Sequence, residues 1–457
     1  MKNITLGQIA QACKGRYVGP DNLLSQKISG VTIDSRKVKE GYVFVAIAGE
    51  RSDGHDFAES AVQNGALCCI SEKELSENVP HILVKSSAAA LQDAARYYRS
   101  TLDIKIVGIT GSVGKTSTKE MVSSVVSQKY ATLKTEGNYN NELGLPLTIF
   151  NIEDYHRVAV LEMGISDFGE MHLLAGIAKP DICVITNIGL CHLETLKSRD
   201  GILKAKSEIF DFITPDAGIV LNGDDDKLVN ITDIKGIRPY TFGIDNTGAD
   251  IVATDIENKG LEGVSCELSF GDTVTKVNIP IPGKHMVYNA MAGFLVGKLL
   301  GLTEQEIVNG IAALTPVTGR NNIINTGKII VIDDCYNANP VSMKASIDVL
   351  DDARGRRVCI LGDMFELGEN EVQLHRSVGE HLAQKNIEVL ICVGTLSANI
   401  ASAAGTNKNM QVIHFDTREK LLANLKNIVK QGDNVLVKAS HGMGFDEVVK
   451  ELQIWYQ

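Results

Sequence analysis

The sequence predicts an α/β protein in three domains: a smaller mixed domain first, a central domain built on a parallel sheet, and a last domain of doubly wound type. Three observations carry this. The chain has 457 residues, more than one ordinary core organises. From about residue 101 onward, short apolar runs alternate with helical patterns, and such alternation builds parallel sheets covered on both faces. The first of these runs is joined to the first helical pattern by a glycine-rich turn, Gly108-Ile109-Thr110-Gly111-Ser112-Val113-Gly114-Lys115-Thr116-Ser117.

In the first domain, 1–100, Val31 to Asp34, Tyr42 to Ile47, Ala66 to Ile70 and Ile82 to Val84 read as strands, and Ser87 to Ser100 as a closing helix. The second, 101–315, opens with the strand Lys105 to Thr110 and a helix from Lys115 to about Ser127. Strands return at Val158 to Leu161, Asp181 to Thr186 and Ile219 to Leu221. Val264 to Pro280 alternates as a hairpin turning at Gly271-Asp272, and helical patterns at Met286 to Leu300 and Glu304 to Ala313 lead to Pro316. In the third, 316–457, strands are expected at Ile329 to Asp333, Val358 to Leu361, Val389 to Val393, Val412 to Phe415 and Val435 to Lys438, with helices between them. That order is Rossmann-like, but the glycine fingerprint of a dinucleotide site is missing, so the fold does not imply NAD. No repeat, low-complexity segment or long linker occurs.

Composition narrows the chemistry. The formal net charge of −11 argues against a general nucleic-acid binder, which needs a basic face to displace counterions. It leaves room for an anionic small ligand held by a few cations and backbone N–H groups. Nine cysteines without a Cys-x-x-Cys pair read as small buried thiols in a reducing compartment. No apolar stretch approaches the roughly 20 residues of a membrane helix, and a cytoplasmic protein, acting as a monomer, is expected.

The glycine-rich turn is the sharpest signal. Lying between a strand and a helix, it reads as a P-loop: its glycines let backbone amides curl around phosphate oxygens, and the helix start aims its positive end there. Lys115 is placed to contact terminal phosphates and the Thr116 hydroxyl to bind Mg²⁺. The standard pattern has glycine where Ile109 stands, with glycines at 108 and 111 instead, so the loop is a variant.

Further motifs follow in order: Thr135-Glu136-Gly137-Asn138-Tyr139-Asn140-Asn141-Glu142-Leu143-Gly144; Glu162-Met163-Gly164; Thr186-Asn187-Ile188-Gly189 through His192-Leu193-Glu194; and Lys206-Ser207-Glu208-Ile209-Phe210. Together with the loop they resemble the Mur ligases and their folylpolyglutamate synthetase relatives, over essentially the whole chain. Thr32-Ile33-Asp34-Ser35-Arg36 and Asp53-Gly54-His55-Asp56-Phe57 are similar to the UDP-binding first domain of two of these ligases. Asp333-Asp334-Cys335-Tyr336-Asn337-Ala338-Asn339-Pro340 and Leu361-Gly362-Asp363-Met364-x-Glu366-Leu367-Gly368 resemble the members that add D-alanyl-D-alanine. Lys438-Ala439-Ser440-His441-Gly442 departs from the family's Lys-Gly-Ser-Arg-Gly, with histidine in place of an always-charged guanidinium.

The resemblance implies an ATP-dependent amide ligase of peptidoglycan precursor synthesis. It would join D-alanyl-D-alanine to UDP-N-acetylmuramoyl-tripeptide through an acyl phosphate. The alternative is the sister ligase that adds the third amino acid, although the Asp-Asn-Pro-Arg type motif of that enzyme is not found. A phosphate-loop switch or motor, and a non-catalytic binding module, are readings of other classes.

The roles implied are as follows. Thr110 through Ser117, Asn289, Arg320 and Asp334 bind ATP; Asn289, in Pro282-Gly283-Lys284-His285-Met286-x-x-Asn289, reads adenine, with capping of that helix as the plainer alternative. Lys115, Glu162, His192 and Lys206 are catalytic. Two Mg²⁺ ions are held by Thr116, Glu162, His192 and Lys206, the last as a carbamate formed with CO₂, which needs a neutral amine and hence a depressed pKa. Ser35, Arg36, His55, Asn138 and Asn141 take the UDP substrate, and Asn337 and Asn339 lie near the dipeptide. Three ligands on three domains imply an open form without ligands and a closed form with them.

Overall fold

Residues 1, 4–49 and 52–456 are described by a computed structural model of the chain. The first sheet comprises β1 (Arg16–Val18), β2 (Gly30–Thr32), β3 (Tyr42–Val45), β4 (Ala66–Ser71) and β5 (His81–Leu83), in the order β1-β5-β4-β3-β2, parallel except where β1 meets β5. The strand expected at Val31 to Asp34 is shorter because Asp34 turns the chain. Its carboxylate accepts from the Arg36 amide at 3.1 Å and starts the 3₁₀ turn Ser35–Lys37. The helix Ser87–Ser100 has the predicted bounds; the Ser86 hydroxyl caps it, accepting from the Ala89 amide at 3.3 Å. It buries Ala90, Leu91, Ala94, Ala95 and Tyr98, and the Tyr98 hydroxyl donates to the Ile152 carbonyl at 2.6 Å. One continuous apolar core therefore runs from Ile9, Val43 and Ile82 through Leu91 to Ile106 and Leu161, across the division placed near residue 100.

The second sheet has nine strands: β6 (Lys105–Thr110), β7 (Thr132–Lys134), β8 (Val158–Glu162), β9 (Ile182–Ile185), β10 (Gly218–Asn222), β11 (Tyr240–Gly243), β12 (Ile251–Asn258), β13 (Val264–Phe270) and β14 (Thr273–Ile279). Their order is β14-β13-β12-β11-β10-β9-β6-β8-β7. The expectation of a parallel sheet holds from β7 to β12; β12, β13 and β14 pair antiparallel, so the whole is mixed. The hairpin turns at Gly271-Asp272 as expected. The helix Lys115–Val126 packs on one face with His285–Leu299, which is buried along most of its length.

The third sheet comprises β15 (Asn322–Asn325), β16 (Ile330–Asp333), β17 (Arg357–Gly362), β18 (Val389–Val393), β19 (Gln411–Phe415) and β20 (Asn434–Lys438), in the order β15-β16-β20-β17-β18-β19. All neighbours are parallel except the edge pair β15–β16. Its two faces are covered by two separate apolar cores, as a doubly wound sheet requires. No helix among the described residues is long and apolar enough to cross a membrane.

Candidate active site

In the second sheet β6 lies between β8 and β9, and chain reversals of this kind leave a crevice at the carboxyl ends of the strands. The segments singled out in sequence arrive there in a row. The glycine-rich turn leaves β6, Glu162 ends β8, Thr186-Asn187 follows β9 and Asn222 ends β10. These residues line a cavity of about 390 Å³ whose opposite wall comes from the third sheet: Arg320, Asp334, Asn337, Asn339 and Lys438.

The turn has the shape a phosphate needs. Gly114 stands at φ +83°, in the left-handed region, immediately before the helix Lys115–Val126, whose first-turn amides have no helical acceptor. A Cβ at Gly111 would come within 1.9 Å of the Thr186 hydroxyl oxygen, so only glycine fits that approach. The turn is also tied down from β9. The Thr186 hydroxyl and the Asn187 amide nitrogen both donate to the Val113 carbonyl, at 2.6 and 2.9 Å, and the Asn187 side-chain oxygen accepts from the Val113 amide at 2.9 Å. Lys115 Nζ donates to the Gly111 carbonyl at 2.9 Å, within its own loop. Ser112, Val113, Gly114, Lys115, Thr116 and Ser117 line the cavity; Thr110, wholly buried at the strand end, and Gly111 do not.

Glu162 is 3% exposed. One carboxylate oxygen accepts from the Asn140 amide at 2.8 Å and the other has no partner. A buried carboxylate oxygen left bare beside the Thr116 hydroxyl's cavity is costly unless a cation meets it, so the donor set fits a hard divalent ion. No cluster of three or more His, Cys, Asp or Glu able to hold a metal occurs among the described residues. Any ion here takes ligands of mixed kind.

Lys206 is 1% exposed and forms no ion pair among the described residues. Burial, with Lys115 nearby as a second cause, pushes its amine down to about 7, so that near neutral pH a large share is uncharged. His192 shares this electrostatic neighbourhood: burial lowers its pKa first, Lys206 and Lys115 lower it further, and Glu366 and Glu170 oppose them. Neither residue lines the cavity. Cys191, the neighbour of His192, is half-buried with Sγ 3.2 Å from the Ser112 hydroxyl, whereas the other eight cysteines are buried as expected.

Several candidates prove to be internally engaged. The Asn289 side-chain oxygen accepts from the Thr118 hydroxyl at 2.8 Å, bracing two helices, while its residue still lines the cavity. Asp334 accepts from Lys438 Nζ and the Ser346 hydroxyl, both at 2.5 Å, and from the Asn321 amide at 3.0 Å, so it buttresses the wall. Burial drives the Lys438 pKa down, against the pull of Asp334. Asn339 caps the helix Pro340–Asp351, accepting from the Ser342 amide at 2.9 Å. Arg320 lies over the Tyr336 ring at 4.0 Å, and His441 packs on that ring at 5.5 Å.

Ser35, Arg36, His55, Asn138 and Asn141 lie outside the cavity. Arg36 is exposed and pairs with Asp34 at 2.9 Å. His55 is buried, with Nδ1 2.5 Å from Asp53 and Nε2 accepting from the Glu72 amide at 3.1 Å. Asn141 accepts from the Gly144 amide at 2.9 Å, holding the start of the helix Gly144–Phe150. Lys37 reaches the Tyr139 hydroxyl at 3.3 Å, which sets the Ser35–Lys37 turn beside the asparagine-rich loop.

The sequence reading missed Asn187, Asn222, Asp224, Asp225, Tyr288 and Lys438 as cavity residues. Burial disfavours a charged Asp224, but amides of Ile244, Asp245 and Asn246 and the Tyr288 hydroxyl, at 2.7 to 3.1 Å, outweigh it and hold the carboxyl below its usual range. Asn187 and Lys438 sat inside quoted motifs; position at a strand end was the available signal.

Comparison with known proteins gives a consistent result. Residues 27–107 match a model described as "Mur ligase family, catalytic domain", 109–297 "Mur ligase middle domain" and 319–441 "Mur ligase, glutamate ligase domain". The chain is 36% identical over 455 residues to the UDP-N-acetylmuramoyl-tripeptide--D-alanyl-D-alanine ligase of Bacillus subtilis (strain 168), covering 98% of each. It is 34% identical over 457 residues to the enzyme of that name from Escherichia coli (strain K12), covering 99% of each. Among solved structures it is similar to MurF from Acinetobacter baumannii, with a TM-score of 0.91, 32% identity and 99% of each chain covered. It is also similar to the MurF ligase from Thermotoga maritima in complex with ADP, with a TM-score of 0.82, 32% identity, and 93% and 97% covered.

Proposed function

The chain belongs to the Mur ligase family, and from that premise we propose that its cleft joins D-alanyl-D-alanine to UDP-N-acetylmuramoyl-tripeptide at the expense of ATP, in peptidoglycan precursor synthesis. The observation that carries the reading is the shared cavity. The phosphate turn and Glu162 form one wall, and the Asp334–Ser342 segment, which resembles the dipeptide-adding members, forms the other.

The reaction has two displacements. A carboxylate oxygen of the tripeptide attacks the γ-phosphorus, the bond to the bridging oxygen breaks, and ADP leaves with an acyl phosphate formed. The dipeptide amine then attacks the acyl carbon; phosphate departs with the C–O bonding pair and the nitrogen loses a proton. The protein's task is to hold three ligands in line and neutralise phosphate charge. The loop amides and Lys115 receive the β- and γ-phosphates, and Arg320 approaches from the facing wall. Asn337 and Asn339 stand where the incoming dipeptide enters.

Two magnesium ions are part of this reading. Thr116 and Glu162 would hold one, and His192 with Lys206 the other, and bound there they would supply charge neutralisation. For the second site Lys206 is read as a carbamate: its neutral amine adds to CO₂ and loses a proton, exchanging a buried cation for a carboxylate-like ligand. The depressed pKa of this buried amine supports this. The UDP end lies on the first domain, 1–100, near the Ser35–Lys37 turn, with the ATP domain at 101–315 and the dipeptide domain at 316–457. The enzyme works in the cytoplasm as a monomer.

ADP release measured with UDP-muramyl-tripeptide, with and without D-Ala-D-Ala, tests the reading. Sustained turnover is expected only with both, and Lys115→Met should abolish it. Turnover with no amine acceptor, or a fully active Lys115→Met protein, would overturn it.

A further inference from the structure

The motif Leu361-Gly362-Asp363-Met364-x-Glu366-Leu367-Gly368 has no part in the reaction as described, yet its loop is tightly built. The buried Asp363 accepts from the Ser397 amide at 2.7 Å, and its carbonyl accepts from the Ser440 amide at 3.1 Å. The Met364 amide donates to His375 Nε2 and the Phe365 amide to the Ser440 hydroxyl, both at 2.9 Å. Met364 and Leu367 are buried in the third domain. On this anchored loop Glu366 stands at φ +61°, a conformation that side-chain-bearing residues seldom adopt. Its side chain is 69% exposed and crosses to the central domain, ending 3.2 Å from His192 Nδ1. His192 is itself at φ +48°, ahead of the short helix Leu193–Leu196. Two left-handed residues on two domains thus meet side chain to side chain. His192 Nε2 has no partner among the described residues.

We propose that Glu366 is a positioning residue that reaches across from the third domain, holds the His192 ring by its Nδ1 side, and so leaves Nε2 as the nitrogen free to ligate. A ring that binds a metal through one nitrogen is commonly oriented by a carboxylate on the other. Here the orienting carboxylate belongs to a different domain from the ring, so the histidine is set only while the third domain is docked. An exposed ion pair adds little binding by itself. The effect is therefore expected in orientation, and not in how tightly the domains hold. The inference rests on the reading of His192 as a metal ligand.

The test uses full-length protein with Mn²⁺ as the probe, titrated by electron paramagnetic resonance in the presence of a non-hydrolysable ATP analogue. Wild type should bind two Mn²⁺ ions. Glu366→Ala should weaken one of them about tenfold to a hundredfold, the usual effect of removing such an outer partner. Glu366→Asp should recover part of the loss. His192→Ala should lose that ion, and adding Glu366→Ala to it should change nothing more. In steady state Glu366→Ala should lower kcat with little change in KM for ATP. Mn²⁺ binding by Glu366→Ala within twofold of wild type would overturn the proposal, as would full binding by His192→Ala. If wild-type protein makes no amide, the functional reading falls, while the Mn²⁺ titration still decides the role of Glu366.

Discussion

Arg320 lines the cavity wall that faces the glycine-rich turn, and what aims it is an aromatic ring. Its guanidinium lies 4.0 Å from the centre of Tyr336, with His441 packed at 5.5 Å on the same ring. A cation held over a ring gains about 0.5–2 kcal/mol, and its plane is fixed as well. Tyr336→Leu should lower kcat by about 2- to 30-fold, the rate equivalent of that energy, whereas Tyr336→Phe keeps the ring and should stay near wild type. Equal rates for the leucine and phenylalanine variants would remove Tyr336 from this role. At position 441, where the resemblance implied arginine, this chain packs a second flat ring against the one supporting Arg320. For Lys206, the expected behaviour is loss of ligation in Lys206→Ala and partial recovery with a short carboxylic acid that can enter the space left. A fully active Lys206→Ala protein without acid would exclude the carbamate. That Lys115 and Glu162 would line the cavity was legible because a motif or a strand end marks each, while Arg320 was placed through the resemblance. That Asn140 braces Glu162, or that Asp334 is spent on Lys438, was not, since those bonds join segments that only the fold brings together.

At the scale of elements, the loop after β17 depends on one buried histidine. His375 accepts the Met364 amide at Nε2 and lies 2.7 Å from the Glu371 carbonyl at Nδ1, which therefore carries the proton. Burial, the largest cause, holds its pKa below the ordinary 6.5. In the unfolded chain the ring protonates as pH drops below about 6.5, while the folded ring resists until lower pH. Between those two values the unfolded state binds more protons, so stability must fall as pH falls through that window and level off below it. Thermal unfolding from pH 8 to 5 should show this decline. His375→Leu should be less stable at pH 8 by about 1–3 kcal/mol, from the orphaned Met364 amide, with a shallower dependence on pH. Parallel slopes for the two proteins would refute it. The elements themselves were readable in proportion to burial. β6 and β18 occupy the expected residues because each is an apolar run, and the helix Ser87–Ser100 because its buried positions recur at helical spacing behind the Ser86 cap. β1, β7, β11, β12 and β15 escaped notice. β1, β7 and β15 are three- or four-residue strands at sheet edges, β11 has four residues of which only Phe242 and Gly243 are buried, and β12 is polar beyond Ala253, with a register shift between Thr254 and Glu257. A strand with one open side needs few apolar residues and leaves little pattern.

For the whole molecule, the three domains are not equally free. The first and central ones share a single apolar core, carried across by the helix Ser87–Ser100. The third has two cores of its own, distinct from that of the central face it adjoins. It meets the central domain across the cavity, through the Glu366–His192 contact, through Leu261, which packs against its core, and Asn258, which donates to Asp352, and through the segment around Gly319 and Asn321, both at positive φ, where the Asn321 amide nitrogen donates to the Pro282 carbonyl at 2.6 Å. Contacts that are mostly polar hold a domain loosely, and inter-domain motion is the ordinary result when little apolar surface crosses the interface. The sequence implied closure of three domains on three ligands; the distribution of cores narrows it to the third moving against a unit formed by the first two, pivoting near 319–321. Small-angle scattering should show compaction when nucleotide and UDP-substrate are both added. High salt should shift the ligand-free curve toward the extended form, because it screens the exposed contacts. Hydrogen exchange should show the ligands slowing exchange in the 317–321 segment and the glycine-rich turn, with the helix Ser87–Ser100 unchanged. Identical scattering curves with and without ligands, or ligand-dependent exchange centred on Ser87–Ser100, would mean that the hinge lies elsewhere and that the first domain is the mobile one.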